Sequence, residues 1–407
     1  MKKLLIALLG VAAFIGCEDD SDYIYPKAQR TVLIYMAAQN NLTNDMGNRY
    51  AEFDLQEIKE GIRNMGDNHL VVYVNKAKDS NKAKDDHLPY LLHYYKGTLY
   101  DSIPMDSTML PCDPATLQTV MKHTVNYYPA DDYGLVLWGH ATGWLYRNDT
   151  IAYSAGARNR AYGGTNTNES AMGSGNKWMN IHTLAQMLKT QPHLKFIFAD
   201  CCNMMCAECA YELKDVCDYY IGSPAEIPGK GAPYELIVPA LMERETFYRS
   251  ILDHYAERYN NGVPLAVVKT SEMPNLAAAT KTILQAIKAA SMTTTTTFPT
   301  EALSGIYYLD RNLYDMNHFL MLYANRWGVS AEYQSWKQVF DQAIIYKKFA
   351  RRWDTMGHVY FIDFDITEEY FGGMSMFVPQ WKLQTTDNEY IKKFRWYYAA
   401  GYDTIGW

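Results

Sequence analysis

Apolar segments of strand length alternate with segments of helical spacing along much of the chain, and this alternation restricts the fold more than any other sequence feature. Four runs are continuously apolar, as expected for strands buried on both faces of a sheet. They cover residues 31–37, 69–74, 134–138 and 194–199. Strands that alternate with helices predict a parallel sheet with right-handed crossovers. We therefore predict an α/β fold, with a mainly parallel sheet flanked by helices as an α/β/α sandwich.

The second half of the chain is predicted to be more helical than the first. Helical segments and late strand candidates follow one another there, over residues 247–259, 276–291, 358–364 and 374–378. We expect residues 30–235 to form the core of the fold. We expect residues 236–407 to form a helical and mixed C-terminal region that completes it.

The first residues form a targeting signal and are left out of the predicted fold. A positively charged start precedes an apolar run of 13 residues, 4–16, which is too short to span a bilayer as a helix. Residues 14–17 (FIGC) resemble a bacterial lipobox, in which the cysteine is acylated and becomes the mature N-terminus. We predict a signal peptide over 1–16, lipidation of Cys17 and a lipidated tether over 17–29. The alternative is secretion without a lipid.

Acidic residues follow Cys17 directly. They are Glu18, Asp19, Asp20 and Asp22. They form either a solvated tether or a segment that resembles the surface-export signals of some Gram-negative lipoproteins. We therefore expect an exported outer-membrane lipoprotein, held to the membrane by its lipid, and leave open whether it faces the cell surface.

Net charge and cysteine placement exclude two classes of protein. The formal charge of −7 excludes a nucleic-acid-binding protein, which requires basic stripes. Six cysteines follow Cys17, and five of them lie within 17 residues, from Cys201 to Cys217. A disulfide framework spreads its cysteines along the chain, and adjacent cysteines rarely pair. The cluster therefore serves either chemistry or core packing.

Two of the predicted strands end abruptly in reactive side chains. His140 follows the strand over 134–138, and Cys202 follows the strand over 194–199, with a predicted helix from about residue 204 to 216. Functional groups gather at the carboxyl ends of parallel strands. A helix N-terminus would favour the thiolate of Cys202, and His140 would protonate a leaving amine. The backbone N–H of Cys202, with one beside His140, would form an oxyanion hole.

The two blocks that carry these residues resemble the clostripain family of cysteine peptidases, relatives of caspases and gingipains. The blocks read LVLWGHATGW and KFIFADCCNMMCAECAYEL. Weaker similarities extend the resemblance from about residue 30 to 379, through TVLIYMAAQNNL, DLQEI at Asp54, SPAEIPGKGAPY and GGMSMFVP. The resemblance implies a caspase-like fold and a hydrolase that cleaves protein or peptide substrates without a cofactor, with a need for calcium left open. It also implies that Cys202 is the nucleophile and His140 its partner.

The resemblance also implies roles for residues around the substrate. Asp200 would form the floor of the pocket for a basic P1 side chain, so that cleavage follows Arg or Lys. Ala141 stands where Gly is usual and would supply an oxyanion N–H together with Cys202. Pro224 and Ala225 stand where relatives carry acidic residues, with Glu226 one position further as a substrate-binding candidate.

The cysteine spacing leaves other interpretations open. A helix would place Cys202, Cys206 and Cys209 on one face, where core filling is the ordinary role of free cysteines. The same spacing holds the iron–sulfur cluster of radical S-adenosylmethionine enzymes. A zinc–thiolate site is a further alternative, with His182 or His193 as the fourth ligand. An interpretation from a different class of function also stays open, namely a catalytically inactive, surface-anchored binding lipoprotein on the same fold.

A polar segment rich in Gly, Asn, Ser and Thr separates the two reactive strand ends. It covers residues 149–180, and its middle part, 154–176, lacks apolar periodicity. A long stretch without regular structure inside a domain is usually functional or mobile. Some relatives are activated by self-cleavage here, and Arg158, Arg160 and Lys177 are candidate sites, although an ordinary surface loop has the same composition.

Overall fold

The computed structural model describes most of the chain that follows the predicted signal peptide. It covers residues 25–45, 47–78, 86–145, 162–167, 175–291, 306–309, 313–355, 360–363, 367–379 and 385–407. The predicted signal peptide, Cys17 and the acidic run after it lie outside the described residues. Over the described ranges, no helix has the length and apolar character that crossing a bilayer requires.

The strands found in the described ranges are numbered in chain order. They are β1 (Ala28–Ala38), β2 (His69–Lys76), β3 (Tyr90–Tyr95), β4 (Thr98–Pro104), β5 (Ala130–Gly139), β6 (Tyr162–Thr165), β7 (Lys177–Met179), β8 (Leu194–Asp200), β9 (Cys217–Gly222), β10 (Leu265–Lys269), β11 (Tyr307–Leu309), β12 (Leu313–Asp315), β13 (Ile344–Lys348), β14 (Arg352–Thr355), β15 (Tyr360–Asp363) and β16 (Ser375–Phe377). All four continuously apolar runs of the sequence lie in strands, as predicted.

The α-helices are numbered in the same way. They are α1 (Tyr50–Gly61), α2 (Pro114–Tyr127), α3 (Ile181–Leu188), α4 (Ala207–Leu213), α5 (Tyr234–Leu241), α6 (Phe247–Arg258), α7 (Met273–Ser291), α8 (Met316–Trp327), α9 (Ser330–Ala343), α10 (Thr385–Tyr390), α11 (Arg395–Ala399) and α12 (Tyr402–Ile405). Short 3₁₀ turns occur at Asn41–Thr43, Ile62–Asn64, Thr270–Glu272 and Ile391–Lys393. Helix α2 begins at Pro114 because the Asp113 side chain accepts a hydrogen bond from the Ala115 N–H at 2.9 Å and proline suits the first turn of a helix.

One nine-stranded sheet organises the molecule. Its strand order is β13-β10-β9-β8-β5-β1-β2-β3-β4. The five central strands, from β9 to β2, are parallel, and antiparallel pairs extend the sheet at both edges. The predicted α/β fold with a mainly parallel core is confirmed, although the edge strands β3, β4, β10 and β13 make the whole sheet mixed.

Helices cover both faces of this sheet. Along β1, Leu33 and Tyr35 pack into one buried cluster and Val32 and Ile34 into the other, as the two-residue period of a strand requires. The first cluster includes buried residues of α2, α3, α4 and α7, and the second includes those of α1, α5 and α6. Burial of each large apolar side chain stabilises the fold by roughly 1.5–3 kcal/mol. The central strands therefore hold a rigid platform whose carboxyl edge carries the candidate site.

The region beyond residue 235 is continuous with the rest of the fold. Its strands β10 and β13 extend the nine-stranded sheet. Its strand β16 reaches the segment after Cys202, where the Ser375 N–H donates to the Met205 carbonyl at 3.0 Å and the Phe377 N–H donates to Glu208 Oε1 at 2.9 Å. The predicted domain boundary at residue 235 stays a prediction.

Candidate active site

The sheet brings the two reactive strand ends together. Strands β5 and β8 are parallel neighbours in which Trp138 pairs with Asp200. His140 and Cys202 each lie two residues beyond this pair. Both side chains line one cavity of about 490 Å³ at the carboxyl edge of the sheet. The expectation that the two residues share a site at this edge therefore agrees with the geometry.

The position of His140 depends on contacts with the neighbouring strand β1. Gly139 has a φ of 143°, and a Cβ at this residue would lie 2.9 Å from the Ala37 carbonyl oxygen, so only glycine fits before the histidine. The ring of His140 is hydrogen-bonded through Nε2 to Asn41 Oδ1 at 2.7 Å. The His140 carbonyl accepts a hydrogen bond from the Gly163 N–H at 2.9 Å. Both the backbone and the ring of His140 are thereby held.

The thiol of Cys202 is half-buried and meets a backbone amide. The Ile227 N–H donates to Cys202 Sγ at 3.4 Å. The helix predicted from about residue 204 begins only at Ala207, and Cys202 and Asn203 form a turn before it. Met205, between that turn and the helix, bonds through its backbone to Ser223 and Ser375, which prevents it from joining the helix. The helix N-terminus expected beside the thiol therefore lies five residues further along the chain, and the backbone amide that contacts the sulfur is that of Ile227.

The remaining cysteines of the cluster fill the core. Cys206 is the N-cap residue of α4, and both Cys206 and Cys209 pack in the cluster on one face of the sheet, whereas Cys202 packs against the other. The prediction that these three cysteines share one helix face is therefore wrong. Burial raises the pKa of the Cys201 and Cys209 thiols well above the usual value, which keeps them neutral.

The metal interpretations find no support in the part of the chain that the structure describes. No group of three or more His, Cys, Asp or Glu side chains there has an arrangement that could hold a metal ion. His193 lies on the surface and pairs with Asp218 at 2.9 Å. His182 lies on α3 with its ring 6.2 Å from that of Phe394.

Asp200 lies at the base of the cavity and is almost fully buried, with 3% of its surface exposed. Its carboxylate accepts hydrogen bonds from the hydroxyls of Tyr234 and Tyr255, both at 2.9 Å, and from the Ala232 N–H at 3.2 Å. Burial raises the pKa of Asp200, and these donors oppose the rise. A Cβ at Gly231 would lie 2.8 Å from Oδ2. The missing side chain at Gly231 thus leaves Asp200 open to the cavity.

A second layer of acidic residues supports the base of the cavity from helix α1. Asp54 Oδ2 accepts a hydrogen bond from Trp138 Nε1 at 2.6 Å. Glu57 Oε2 accepts one from the Tyr234 N–H at 2.9 Å, and its other oxygen pairs with Arg258. Burial, with a contribution from nearby Asp200, raises the pKa of Asp54 well above its usual value. The DLQEI segment noted in the sequence therefore holds the cavity wall and base rather than contacting the cavity itself.

The segment after β1 contributes residues that sequence analysis did not assign to the site. Asn41, Asp45 and Tyr50 all line the cavity. A Cβ at Gly229 would lie 2.7 Å from the Tyr50 ring, so Tyr50 packs against backbone there. The TVLIYMAAQNNL similarity ends at this segment, and that was the only sequence signal for it. Geometry adds Asp45 as a third acidic residue at the cavity.

The two departures from the family pattern are accommodated locally. Ala141 lies at the cavity and has a negative φ, so the alanine in place of glycine causes no backbone strain. Pro224 and Ala225 are buried, and the Ala225 carbonyl accepts a hydrogen bond from the Asn203 N–H at 2.8 Å. Glu226, the predicted substrate-binding residue, lines the cavity.

The polar segment between the reactive strands contains more structure than predicted. Strands β6 and β7 pair as an antiparallel hairpin. Tyr162 in β6 is fully buried and forms an isolated bridge with Ala141, so this hairpin packs directly beside the residue after His140. Lys177 is exposed at the start of β7. The other predicted cleavage candidates, Arg158 and Arg160, lie outside the described residues.

The arrangement contains the parts that acyl transfer requires. A thiol and an imidazole line one cavity, the thiol accepts a backbone N–H, and further backbone amides of the same strand ends border the cavity. These are a nucleophile, a proton carrier and donors for a developing oxyanion. Asp45, Asp200 and Glu226 add three carboxyl groups to the lining of the same cavity.

Comparisons with known proteins agree with this chemistry. The model of the clostripain family matches residues 34–400. A secreted C11 cysteine protease from Bacteroides thetaiotaomicron, solved with an irreversible peptide inhibitor, is 28% identical, with a TM-score of 0.72 over 93% of this chain and 100% of that one. An inactive zymogen C11 protease from Parabacteroides distasonis is also 28% identical, with a TM-score of 0.68 over 93% and 99% of the two chains. A search of curated proteins gave no match.

Proposed function

This chain belongs to the clostripain family of cysteine peptidases, and from that premise we propose that it cleaves peptide bonds with Cys202 as nucleophile and His140 as proton carrier. The observation that carries this assignment is the shared cavity of the two side chains, at adjacent parallel strand ends. We further propose that the peptidase prefers basic side chains at P1.

The proposed reaction proceeds through a thioester. The Cys202 thiol gives its proton to His140, and the resulting thiolate attacks the scissile carbonyl carbon as a C–S bond forms. The carbonyl oxygen becomes an oxyanion held by the N–H groups of Ala141 and Cys202. Collapse breaks the C–N bond while His140 donates a proton to the leaving amine. Water then attacks the thioester, His140 accepts its proton, and the C–S bond breaks to release the carboxylic product. The Ile227 N–H at 3.4 Å supports the anionic sulfur before the attack.

The acidic lining supports the proposed basic P1 preference. Asp45, Asp200 and Glu226 line the cavity, and no Lys or Arg does so among the residues that the structure describes. Asp200 has a raised pKa because it is buried, and an entering cation would favour its ionised form. The affinity for basic P1 side chains should therefore rise with pH as Asp200 ionises. Asp45 and Glu226 occupy the role of the acidic residues that are missing at Pro224 and Ala225.

We propose that the peptidase acts outside the cell as a lipoprotein anchored in the outer membrane through Cys17. The predicted signal peptide and lipobox support this, as does the secreted relative. Tyr25 and Pro26, the first described residues, contact Tyr127, the last residue of α2 before β5, and His69, the first residue of β2. The cavity lies at the carboxyl ends of the strands. The described chain therefore starts at the end of the sheet opposite to the cavity.

The test compares three forms of the chain without its signal peptide, residues 18–407. They are the unchanged chain, Cys202→Ala, and Cys217→Ala, which removes a different buried cysteine at the first residue of β9, at the end of the sheet opposite to the cavity. Each is incubated with a mixed peptide library, with and without calcium, and cleavage sites are identified by mass spectrometry. Fluorogenic peptides that differ only at P1, with Arg, Lys, Ala or Asp, then measure the preference.

We expect cleavage by the unchanged chain and Cys217→Ala, none by Cys202→Ala, and higher kcat/KM for Arg or Lys at P1. Equal rates for all four P1 residues would refute the basic preference and leave the peptidase assignment intact. Cleavage that survives in Cys202→Ala would refute the nucleophile. Peptide binding without cleavage by any form would favour the inactive binding lipoprotein.

A further inference from the structure

One side chain outside the predicted pair contacts the proposed proton carrier directly. Asn41 Oδ1 lies 2.7 Å from His140 Nε2, and the two residues come from neighbouring strand ends 99 positions apart in sequence. We propose that Asn41 is a positioning residue that fixes the ring orientation and tautomer of His140 during peptide hydrolysis. The proposal rests on the proposed function of His140 and deepens it.

The chemistry of the two atoms determines the tautomer. An amide oxygen only accepts hydrogen bonds, so Nε2 of His140 must carry the hydrogen and donate it. In the neutral ring, the other nitrogen, Nδ1, then carries the lone pair that exchanges a proton with the thiol or with water. When the ring becomes an imidazolium, the Nε2–H bond to Asn41 becomes charge-assisted, and such bonds are roughly twice as strong as neutral ones. Asn41 therefore stabilises the protonated ring that the reaction needs.

The backbone around Asn41 holds it in place before substrate binds. Asn40 accepts a hydrogen bond from the Leu42 N–H at 2.9 Å, and its amide donates to the carbonyls of Ala37 at 2.9 Å and Gly164 at 2.6 Å. Thr43 Oγ1 donates to the Ala38 carbonyl at 2.5 Å. These bonds tie the 3₁₀ turn to β1 and to the β6 strand. A side chain on so fixed a turn can hold a ring orientation that a mobile loop could not.

A purely structural role for Asn41 is the competing explanation. The backbone of the turn is held by other groups, since the Asn41 carbonyl accepts the Asn44 N–H at 3.0 Å and Asn40 supplies the capping oxygen. The side chain of Asn41 is used for His140 rather than for the turn. Its replacement should therefore change catalysis more than stability.

A neutral amide is also the suitable partner in this cavity. The titratable groups that line the cavity with His140 are Asp45, Tyr50, Asp200, Cys202 and Glu226. Three of them are carboxylic acids. A carboxylate in place of Asn41 would add a further negative charge beside the ring and would hold the imidazolium more strongly. Asn41→Asp should therefore shift the alkaline limb of the pH profile, which the loss of a purely structural contact would not do.

The experiment uses the chain from residue 18 to 407 with Asn41→Ala, Asn41→Asp and the matched control Asn44→Ala. Asn44 lies on the same turn, and its side chain makes no hydrogen bond within the described residues. Thermal unfolding checks that each variant folds. The pH dependence of kcat and KM is measured with one fluorogenic peptide. The rate of Cys202 alkylation by iodoacetamide is measured over the same pH range, because it needs no peptide cleavage.

We expect Asn41→Ala to lower kcat by about 10- to 100-fold with little change in KM, because acid–base catalysis as a whole contributes about 10²–10⁴-fold. Asn41→Asp should keep more activity and move the alkaline limb of the profile up by about one pH unit or more. Asn44→Ala should match the unchanged chain.

Several results would overturn the proposal. Equal kcat values for the unchanged chain, Asn41→Ala and Asn44→Ala would overturn it. An Asn41→Asp variant whose alkaline limb lies at the same pH as that of the unchanged chain would also overturn it. If Asn41→Ala fails to fold, the pH at which the alkaline limb of Asn41→Asp lies tests the proposal instead. If the unchanged chain cleaves no peptide, the proposed function fails, and the alkylation profile of Asn41→Asp still tests the contact with His140.

Discussion

Gly231→Ala tests most sharply the proposal that Asp200 forms the base of the pocket for a P1 side chain. Gly231 has a φ of 56°, and its added methyl would lie 2.8 Å from Asp200 Oδ2. Left-handed backbone at a residue with a Cβ costs roughly 1–2 kcal/mol. Asp200 is held by three donors, so displacing it weakens at least one hydrogen bond, which costs about 1–2 kcal/mol more. The substitution should therefore destabilise the protein by about 2–4 kcal/mol and cover Asp200.

Gly328→Ala is the matched control for this change. Gly328 ends helix α8 with a φ of 72°, and a Cβ there would meet no atom within 4 Å. It isolates the cost of backbone strain, about 1–2 kcal/mol. Urea unfolding measures both variants, and kcat/KM is compared for peptides with Arg or Ala at P1. Gly231→Ala should lose the preference for Arg, and Gly328→Ala should retain it. Equal stability losses and an unchanged preference in both variants would refute the place of Asp200 in the pocket.

Three further predictions follow from buried groups. Burial raises the pKa of Glu208 to about 7. A carboxyl group whose pKa is raised in the folded state lowers the free energy of unfolding as pH rises from about 4.5 to 7. The gain in free energy of unfolding from Glu208→Gln should therefore be about 3 kcal/mol larger at pH 8 than at pH 4. Urea unfolding at both pH values measures this, and parallel pH dependences would contradict it. Burial lowers the pKa of His93 to about 4. Because the unfolded chain then binds a proton more readily, acidification from pH 6.5 to 4 should lower the stability of the unchanged chain more than that of His93→Gln. Equal decreases in unfolding temperature for the two proteins would contradict this. Ala141→Gly should leave kcat/KM nearly unchanged and lower stability by about 0.5–1 kcal/mol, since Ala141 already has a negative φ; a large gain in kcat/KM would show that the alanine impairs the oxyanion site.

Local sequence patterns predicted the sheet and the meeting of His140 with Cys202. Continuous apolar runs identify strands buried on both faces, and parallel strands place their carboxyl ends at one edge. These rules use only residues that are close in sequence, together with the small number of ways in which strands and helices can be connected. They placed both reactive residues at one edge of the sheet, although not the order of strands around them.

Contacts between distant segments could not be predicted in the same way. The helix after Cys202 starts late because Met205 bonds through its backbone to Ser223 and Ser375, and the latter lies 170 residues away. The Ile227 N–H that meets the thiol belongs to a loop whose shape no local pattern determines. The backbone amide that contacts the sulfur is therefore placed by tertiary structure and not by the helix that follows Cys202.

The roles of Asn41 and Asp54 show the same limit on a smaller scale. Both lie in segments that resemble the family, yet the sequence does not reveal that one contacts His140 and the other Trp138. Asn is common in turns for reasons of backbone conformation, and a single Asp in a helix is usually solvated. Only the packing of β1 and α1 against β5 distinguishes these residues from such ordinary uses.

The central claim is that Cys202 forms a covalent bond to substrate with the help of His140. The most direct measurement is mass spectrometry of the chain after treatment with a peptide bearing a thiol-reactive group at its C-terminus, beside Cys202→Ala and His140→Ala. The account predicts one adduct on Cys202 in the unchanged chain, none in Cys202→Ala, and much slower labelling in His140→Ala. An adduct on another cysteine, or labelling of Cys202 that is equally fast without His140, would contradict it.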